Sequence, residues 1–211
     1  MHSRRKKNSV RVVFSFFCCF LLLVGSAGGA ESPGARESMQ RAVEEIMAIL
    51  QNEELKTPEK MNVRRSLILT VVRHHFDFAE MSQLTLGAEW KQINESEQER
   101  FVDSFSRLIE NSYIDKIEAY SGEEIIFQKD RARGDKSIVP TVIKRNNLEI
   151  PIQYKLVRKD GQWLVYDVVI EGVSLVQNYR SQFKNIIRNE QYAGLMKRLG
   201  EKVDKLAANT N

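Results

Sequence analysis

Tyr166 and Asp167 stand side by side in an apolar stretch of the chain, WLVYDVVIEGVSLVQNYRSQF from Trp163 to Phe183, and their types suit acid/base work on an apolar substrate. In an alternating strand, however, neighbouring side chains face opposite sides of the sheet, so the two do not converge on one substrate atom. His74 and His75 are the other titratable pair. Adjacent helical positions point about 100° apart, which keeps these rings from sharing a metal ion without distortion. The chain holds no G-x-S-x-G, no H-E-x-x-H and no glycine-rich phosphate loop, and its two cysteines, Cys18 and Cys19, fall in an N-terminal apolar run. These residues supply no catalytic group, no metal site and no cofactor site, so the expectation is a protein that is not an enzyme. Arg180, Lys184 and Arg188 recur every four residues. They form either a solvated helix face or a contact for an anionic group or an acidic docking surface.

The elements that must position these residues follow from the period of the apolar pattern. Trp163 to Ile170 is β-branched and aromatic, with Leu164, Tyr166, Val168 and Ile170 expected on one face of a strand. After Gly172 the period lengthens: Ser174 caps a helix with Gln177 three residues on, and Val176, Tyr179, Phe183 and Ile187 recur at helical spacing. Upstream, Met39, Val43, Ile46, Met47 and Leu50 give an amphipathic helix, and Thr57-Pro58 starts a second. Asp77 with Glu80 opens a short helix ended by Gly87, and Asn94 with Glu97 opens the longest one, which runs to Gly122. Strands follow at 125–128, 137–144, 148–158 and 162–171, joined by turn-rich segments short enough to require antiparallel neighbours. Pro140 and Pro151 suggest strand edges or bulges. Two helical segments, 174–189 and 192–206, close the chain. Helices, then strands, then helices make an α+β domain with helices on one face of a curved sheet.

The first thirty residues form a separate unit. Arg4, Arg5, Lys6, Lys7 and Arg11 precede an apolar run from Val12 to Val24, and Gly28-Gly29-Ala30 offers small residues for cleavage, the pattern of a secretory signal peptide. Removing it leaves twenty-seven basic against twenty-eight acidic residues and no cysteine, so the apparent basic character belongs to the leader. A near-neutral chain gives no electrostatic footprint for nucleic acid. Residues 31–211 are expected to form a single domain.

Two motifs carry a family resemblance. The pattern W-x-V-Y-D-V-x-I-E-G-V-S-L-V-x-N-Y-R-x-Q-F over Trp163 to Phe183, and FDFAEMSQLTLG from Phe76 to Gly87 with Trp90 beyond it, resemble the signatures of the toluene-tolerance/MlaC family of periplasmic phospholipid carriers. The resemblance implies an NTF2-like arrangement: a four-stranded antiparallel sheet packed against N- and C-terminal helices around an apolar cavity that receives acyl tails. It implies a monomer in the periplasm that exchanges phospholipid with an inner-membrane MCE-domain ABC transporter complex and an outer-membrane lipoprotein complex, with bound phospholipid as cargo.

The cavity expected from apolar facing within those motifs is lined by Phe78, Met81, Leu84, Phe101, Phe105, Tyr113, Ile152, Tyr154, Tyr166, Val168, Ile170, Val173, Val176, Tyr179 and Phe183. Arg180, Lys184 and Arg188 are the head-group or docking candidates. At about 0.8 kcal/mol per methylene, two chains of about sixteen carbons represent on the order of 25 kcal/mol of gross apolar transfer, more than a shallow groove recovers. A small hydrolase or isomerase on a hydrophobic substrate, and a structural or chaperone-like domain with a filled core, stay open as alternatives.

Overall fold

The computed structural model describes residues 33–145 and 148–210. The expected leader and the Asn146-Asn147 turn lie outside the described residues. Four helices come first: α1 (Ala35–Gln51), α2 (Met61–His75), α3 (Phe78–Leu86) and α4 (Glu95–Glu118), with short 3₁₀ turns before α2 and α4. Two of the expected caps form among these helices, whereas Thr57 makes no side-chain cap bond and leads only the 3₁₀ turn before α2. Asp77 Oδ1 accepts from Glu80 N at 2.9 Å, and Asn94 and Glu97 exchange reciprocal bonds of 3.0 and 2.9 Å, satisfying backbone donors that a helix start leaves unpaired. Gly87 ends α3 at φ 61°, a conformation that demands glycine, and a Cβ there would lie 2.8 Å from the flexible Arg180 guanidinium, which would have to shift.

Strands β1 (Glu124–Phe127), β2 (Arg131–Arg133), β3 (Lys136–Arg145), β4 (Leu148–Lys159), β5 (Gln162–Ile170) and β6 (Val173–Ser174) form one antiparallel sheet of six strands, not the four expected. The additions are the shortest elements. β2 pairs with β3 beside β1, in a stretch that reads as turn chemistry, and β6 is two residues after the Glu171-Gly172 turn, whose φ values are 50° and 83°. Pro140 sits in a central strand rather than at an edge. Its carbonyl accepts from Gln128 N beyond the end of β1, so its missing N–H faces the break between β1 and β2, where the ladder loses nothing.

A bulge corrects the expected facing of β5. Leu156 pairs with Val165 and Lys155 with Asp167, leaving Tyr166 as the extra residue. Alternation therefore slips by one step. Trp163, Val165, Val168 and Ile170 pack on the inner face with Leu156, Tyr154 and Ile152, whereas Tyr166 joins the helical cluster with Lys136 Nζ 5.5 Å from its ring centre.

The last helix, α5 (Leu175–Thr210), turns at Gln191, where φ is 61° and ψ −178°. Both halves lie along α4. Phe183 packs on Phe101 and Phe105 before the turn, and Tyr192 Oη donates to Glu97 O at 2.9 Å just after it. A non-glycine residue in that backbone region costs about 1–3 kcal/mol, here opposed by the Tyr192 bond and by the Arg198–Glu190 ion pair across the turn. Three apolar clusters result. One joins α1 to the inner sheet face, one joins α3, α4 and α5, and a smaller one around Leu50, Ile68 and Ile114 joins α1, α2 and α4. The buried Glu110 carboxylate, held by Arg73 at 2.6 and 2.7 Å, also ties α2 to α4.

Candidate functional site

The fifteen expected lining residues fall into two apolar clusters and one exposed position. Phe78, Met81, Phe101, Phe105, Val176 and Phe183 are buried in the helical cluster, with Leu84, Tyr113, Tyr166 and Tyr179 packed against it. Their rings meet one another: Phe101–Phe105 at 5.7 Å between centroids, Phe105–Phe183 at 5.8 Å and Tyr179–Phe183 at 5.6 Å. At these separations the rings fill the interior themselves. Ile152 and Val168 belong to the sheet cluster, with Tyr154 and Ile170 packed against it. Val173, on the two-residue edge strand, is 57% exposed. Only Tyr113, among the expected residues, packs against both clusters, as does Phe76, which the sequence reading left off the list.

The seam between the clusters is where apolar surface remains open. Tyr154 points from β4 toward α1 and combines two properties. Protein surrounds it deeply enough for burial to push its phenol up to about 12, and yet its side chain keeps accessible surface. Phe127, Ile143, Ile150, Ile170 and Val43 of the same cluster are likewise only half-buried. Phe127, Ile143 and Ile150 are missing from the expected list although they face the same way. For Phe127 and Ile143 the signal was cross-strand register, Thr141↔Ile152 and Ile143↔Ile150, which a single strand read alone does not carry.

Burial of Tyr154 has a stability consequence whose sign is fixed. A phenol whose folded pKa is about 12, against about 10 unfolded, contributes stability fully present below pH 10 and lost as pH rises through 12. The parent protein is expected to lose about 2 kcal/mol more than Tyr154→Phe between pH 10 and 12, measured by urea unfolding at each pH. Burial also raises Tyr113, Tyr179 and Tyr192, so Tyr154→Phe keeps a residual slope in that range.

The polar candidates are occupied elsewhere. Asp167 is buried and accepts from Lys155 Nζ at 2.9 Å, Ser174 Oγ at 2.7 Å and Val176 N at 3.2 Å. Ser174 Oγ in turn accepts from Gln177 N at 3.1 Å, as its capping role predicts. The carboxylate therefore fastens the start of α5 to the sheet. His74 and His75 meet edge to face at 4.9 Å, and burial lowers the His75 pKa despite the Glu45 carboxylate at 3.7 Å. Among the described residues no group of three or more His, Cys, Asp or Glu is placed to hold a metal ion. All three residues of the basic stripe are exposed, and Arg180 in addition lies over Gly87 with Nη1 3.5 Å from Leu84 O. Two grooves of about 810 and 720 Å³ run beside the second half of α5, but both are open to solvent and edged by charged side chains such as Glu99, Asp103 and Lys202.

Comparison with known proteins gives this arrangement a relationship. The fold matches the solved structure of a phospholipid-binding protein from Ralstonia solanacearum in complex with a phospholipid, with a TM-score of 0.74 and 22% identity over 83% of this chain and 99% of that one. The intermembrane phospholipid transport system binding protein MlaC of Haemophilus influenzae is 22% identical over 158 residues, covering 72% of this chain and 74% of that protein. The toluene tolerance protein ttg2D of Pseudomonas putida is 28% identical over 109 residues, 51% of this chain and 46% of its own length. The model of the MlaC protein family matches residues 40–201, a span that contains both sequence motifs and every element from α1 to the second half of α5. The chain belongs to the MlaC protein family.

Proposed function

We propose that this protein is a periplasmic phospholipid carrier that takes acyl tails into the seam between the inner sheet face and the helices. The observations that support the reading are the family match and the row of half-buried apolar side chains, Ile150, Tyr154 and Ile170, on the inner sheet face. Family membership supports phospholipid as the cargo, and the phospholipid held by the Ralstonia protein supports enclosure within this fold. The bonding of Asp167 supports a carrier with no covalent step. Its carboxylate already accepts from Lys155, Ser174 and Val176 and ties the start of α5 to the sheet.

The expected secretory leader at residues 1–30 would deliver the chain to the periplasm, where it would work as a monomer. It would exchange lipid with an inner-membrane MCE-domain ABC transporter complex and an outer-membrane lipoprotein complex, needing no cofactor and meeting no nucleic acid. Transfer would require only that the seam match a bilayer closely in free energy, so that cargo moves either way.

Native mass spectrometry of protein isolated from the periplasm without detergent tests this directly. The expected spectrum contains a species heavier than the processed chain by one phospholipid, and extraction with organic solvent removes it. Identical masses before and after extraction would overturn the proposal.

A further inference from the structure

The turn at Gln191 joins two helices with no loop between them, since helical residues flank it on both sides. Two features of this joint favour a straight helix over a bent one. Gln191 is a good helix former held at φ 61°, a region that glycine enters freely and other residues do not. Gly194 shows the same tension from the other side. A Cβ built on it would overlap the Cβ of Glu190, whereas in an unbroken helix Cβ atoms four residues apart stand about 5–6 Å from each other. The chain thus supplies a glycine where the bend needs close approach, and none where it needs a positive φ.

What keeps the bend is the cover that the following arm requires. Leu195 is 0% exposed and Leu199 and Val203 are 3% each, all three in the cluster with Phe101, Phe105 and Phe183. An arm swung out alone would carry these side chains into water. A second copy that had also straightened would offer the same vacated berth, and the reciprocal exchange closes on itself with two-fold symmetry. Short connections under strain invite such an exchange. The buried aliphatic row of the arm is then covered as before, and the bend is relieved twice.

We propose that two copies of this chain exchange residues 195–210, with Glu190 to Gly194 straightening so that α5 runs unbroken from one copy to the other. Strain of the kind held at Gln191 is worth about tenfold per chain, hence about a hundredfold for a dimer that relieves it twice. The sheet cluster contains no residue beyond Leu175, so exchange leaves the seam proposed for the tails intact. The closed single chain is the carrier described above, and the exchanged pair is a second form with the same lipid content per chain.

The test holds the processed full-length protein, concentrated, just below its thermal midpoint, cools it, and reads mass by light scattering behind size exclusion. The parent should give monomer and a resolvable dimer that survives dilution for hours, because separation requires both arms to leave their berths. Gln191→Gly should raise the dimer's dissociation constant at the incubation temperature about a hundredfold, and Gly194→Ala should lower it by at least as much. A parent without dimer, a dimer that comes apart at once on dilution, or a Gln191→Gly protein that dimerises as readily as the parent would each overturn the exchange. So would a Gly194→Ala protein that folds and stays monomeric; if that variant does not fold, the comparison of Gln191→Gly with the parent decides alone. Lipid mass on the separated forms keeps the two readings apart: monomer and dimer that both lack lipid would remove the carrier and leave the exchange standing.

Discussion

Ile170→Trp should yield a folded protein that retains less than about a hundredth of the parent's phospholipid. Ile170 is half-buried on the inner sheet face, opposite Ile152, and one residue pair from Val168 and Tyr154. An indole there would extend over the inner sheet face, where the carrier reading places the tails. If it displaces about four methylenes of an acyl tail, the loss is about 3 kcal/mol, more than a hundredfold in affinity. The same substitution at Ile138 supplies the control. Ile138 pairs with Lys155 and Arg131 on the outer face, so Ile138→Trp adds the same ring where no tail would lie and should leave lipid content untouched. Lipid mass measured on both variants, with the thermal midpoint of each, decides the matter. Undiminished lipid in a stable Ile170→Trp protein would show that the tails lie elsewhere.

How much of this site the sequence made legible depends on whether the signal is local. Helix starts at Asp77, Asn94 and Ser174 were readable because a capping oxygen and the amide it meets are three residues apart. The order of the sheet was readable from short turns. The bulge at Tyr166 was not, because a bulge belongs to a pair of strands: nothing in β5 alone marks that β4 runs one residue short between Lys155 and Leu156. That slip moved Tyr166 out of the sheet cluster and put Val165 in it. The aromatic residues of α4 and α5 were ambiguous for another reason. Phe101, Phe105 and Phe183 show the same spacing whether they line a cavity or close one, and only ring-to-ring distances separate the cases. Arg180 read as one member of a basic stripe because helical spacing does not show that its guanidinium rests on Gly87. Ile150 stands in the same alternation as Ile152, Tyr154 and Leu156, whose one dry face is legible in the strand itself.

Asp167→Ala is expected to destabilise the protein by about 3 kcal/mol, the largest loss from any single polar substitution in the molecule. Three donors converge on this 3%-exposed carboxylate from three elements: Lys155 on β4, Ser174 on β6 and the Val176 amide in the first turn of α5. Alanine strands a buried amide and leaves Lys155, whose side chain is 29% exposed, partly desolvated with no counter-charge. Asp167→Asn should cost less, since its amide oxygen can still accept from Val176, although its NH₂ then faces the Lys155 ammonium. Lys155→Met should cost least, because Asp167 keeps both other donors. Urea unfolding of the three variants should rank them in that order, and a loss below about 1 kcal/mol for Asp167→Ala would refute the account. The effect should also reach the cargo. Leu175 packs in the sheet cluster and Val176 in the helical one, so the carboxylate pins the residue pair at which the two walls of the seam meet. Loosening that joint lets α5 drift from the sheet. Asp167→Ala should therefore release lipid faster than the parent even under conditions where it stays folded, which distinguishes a fastening at the joint from a residue that merely supports global stability.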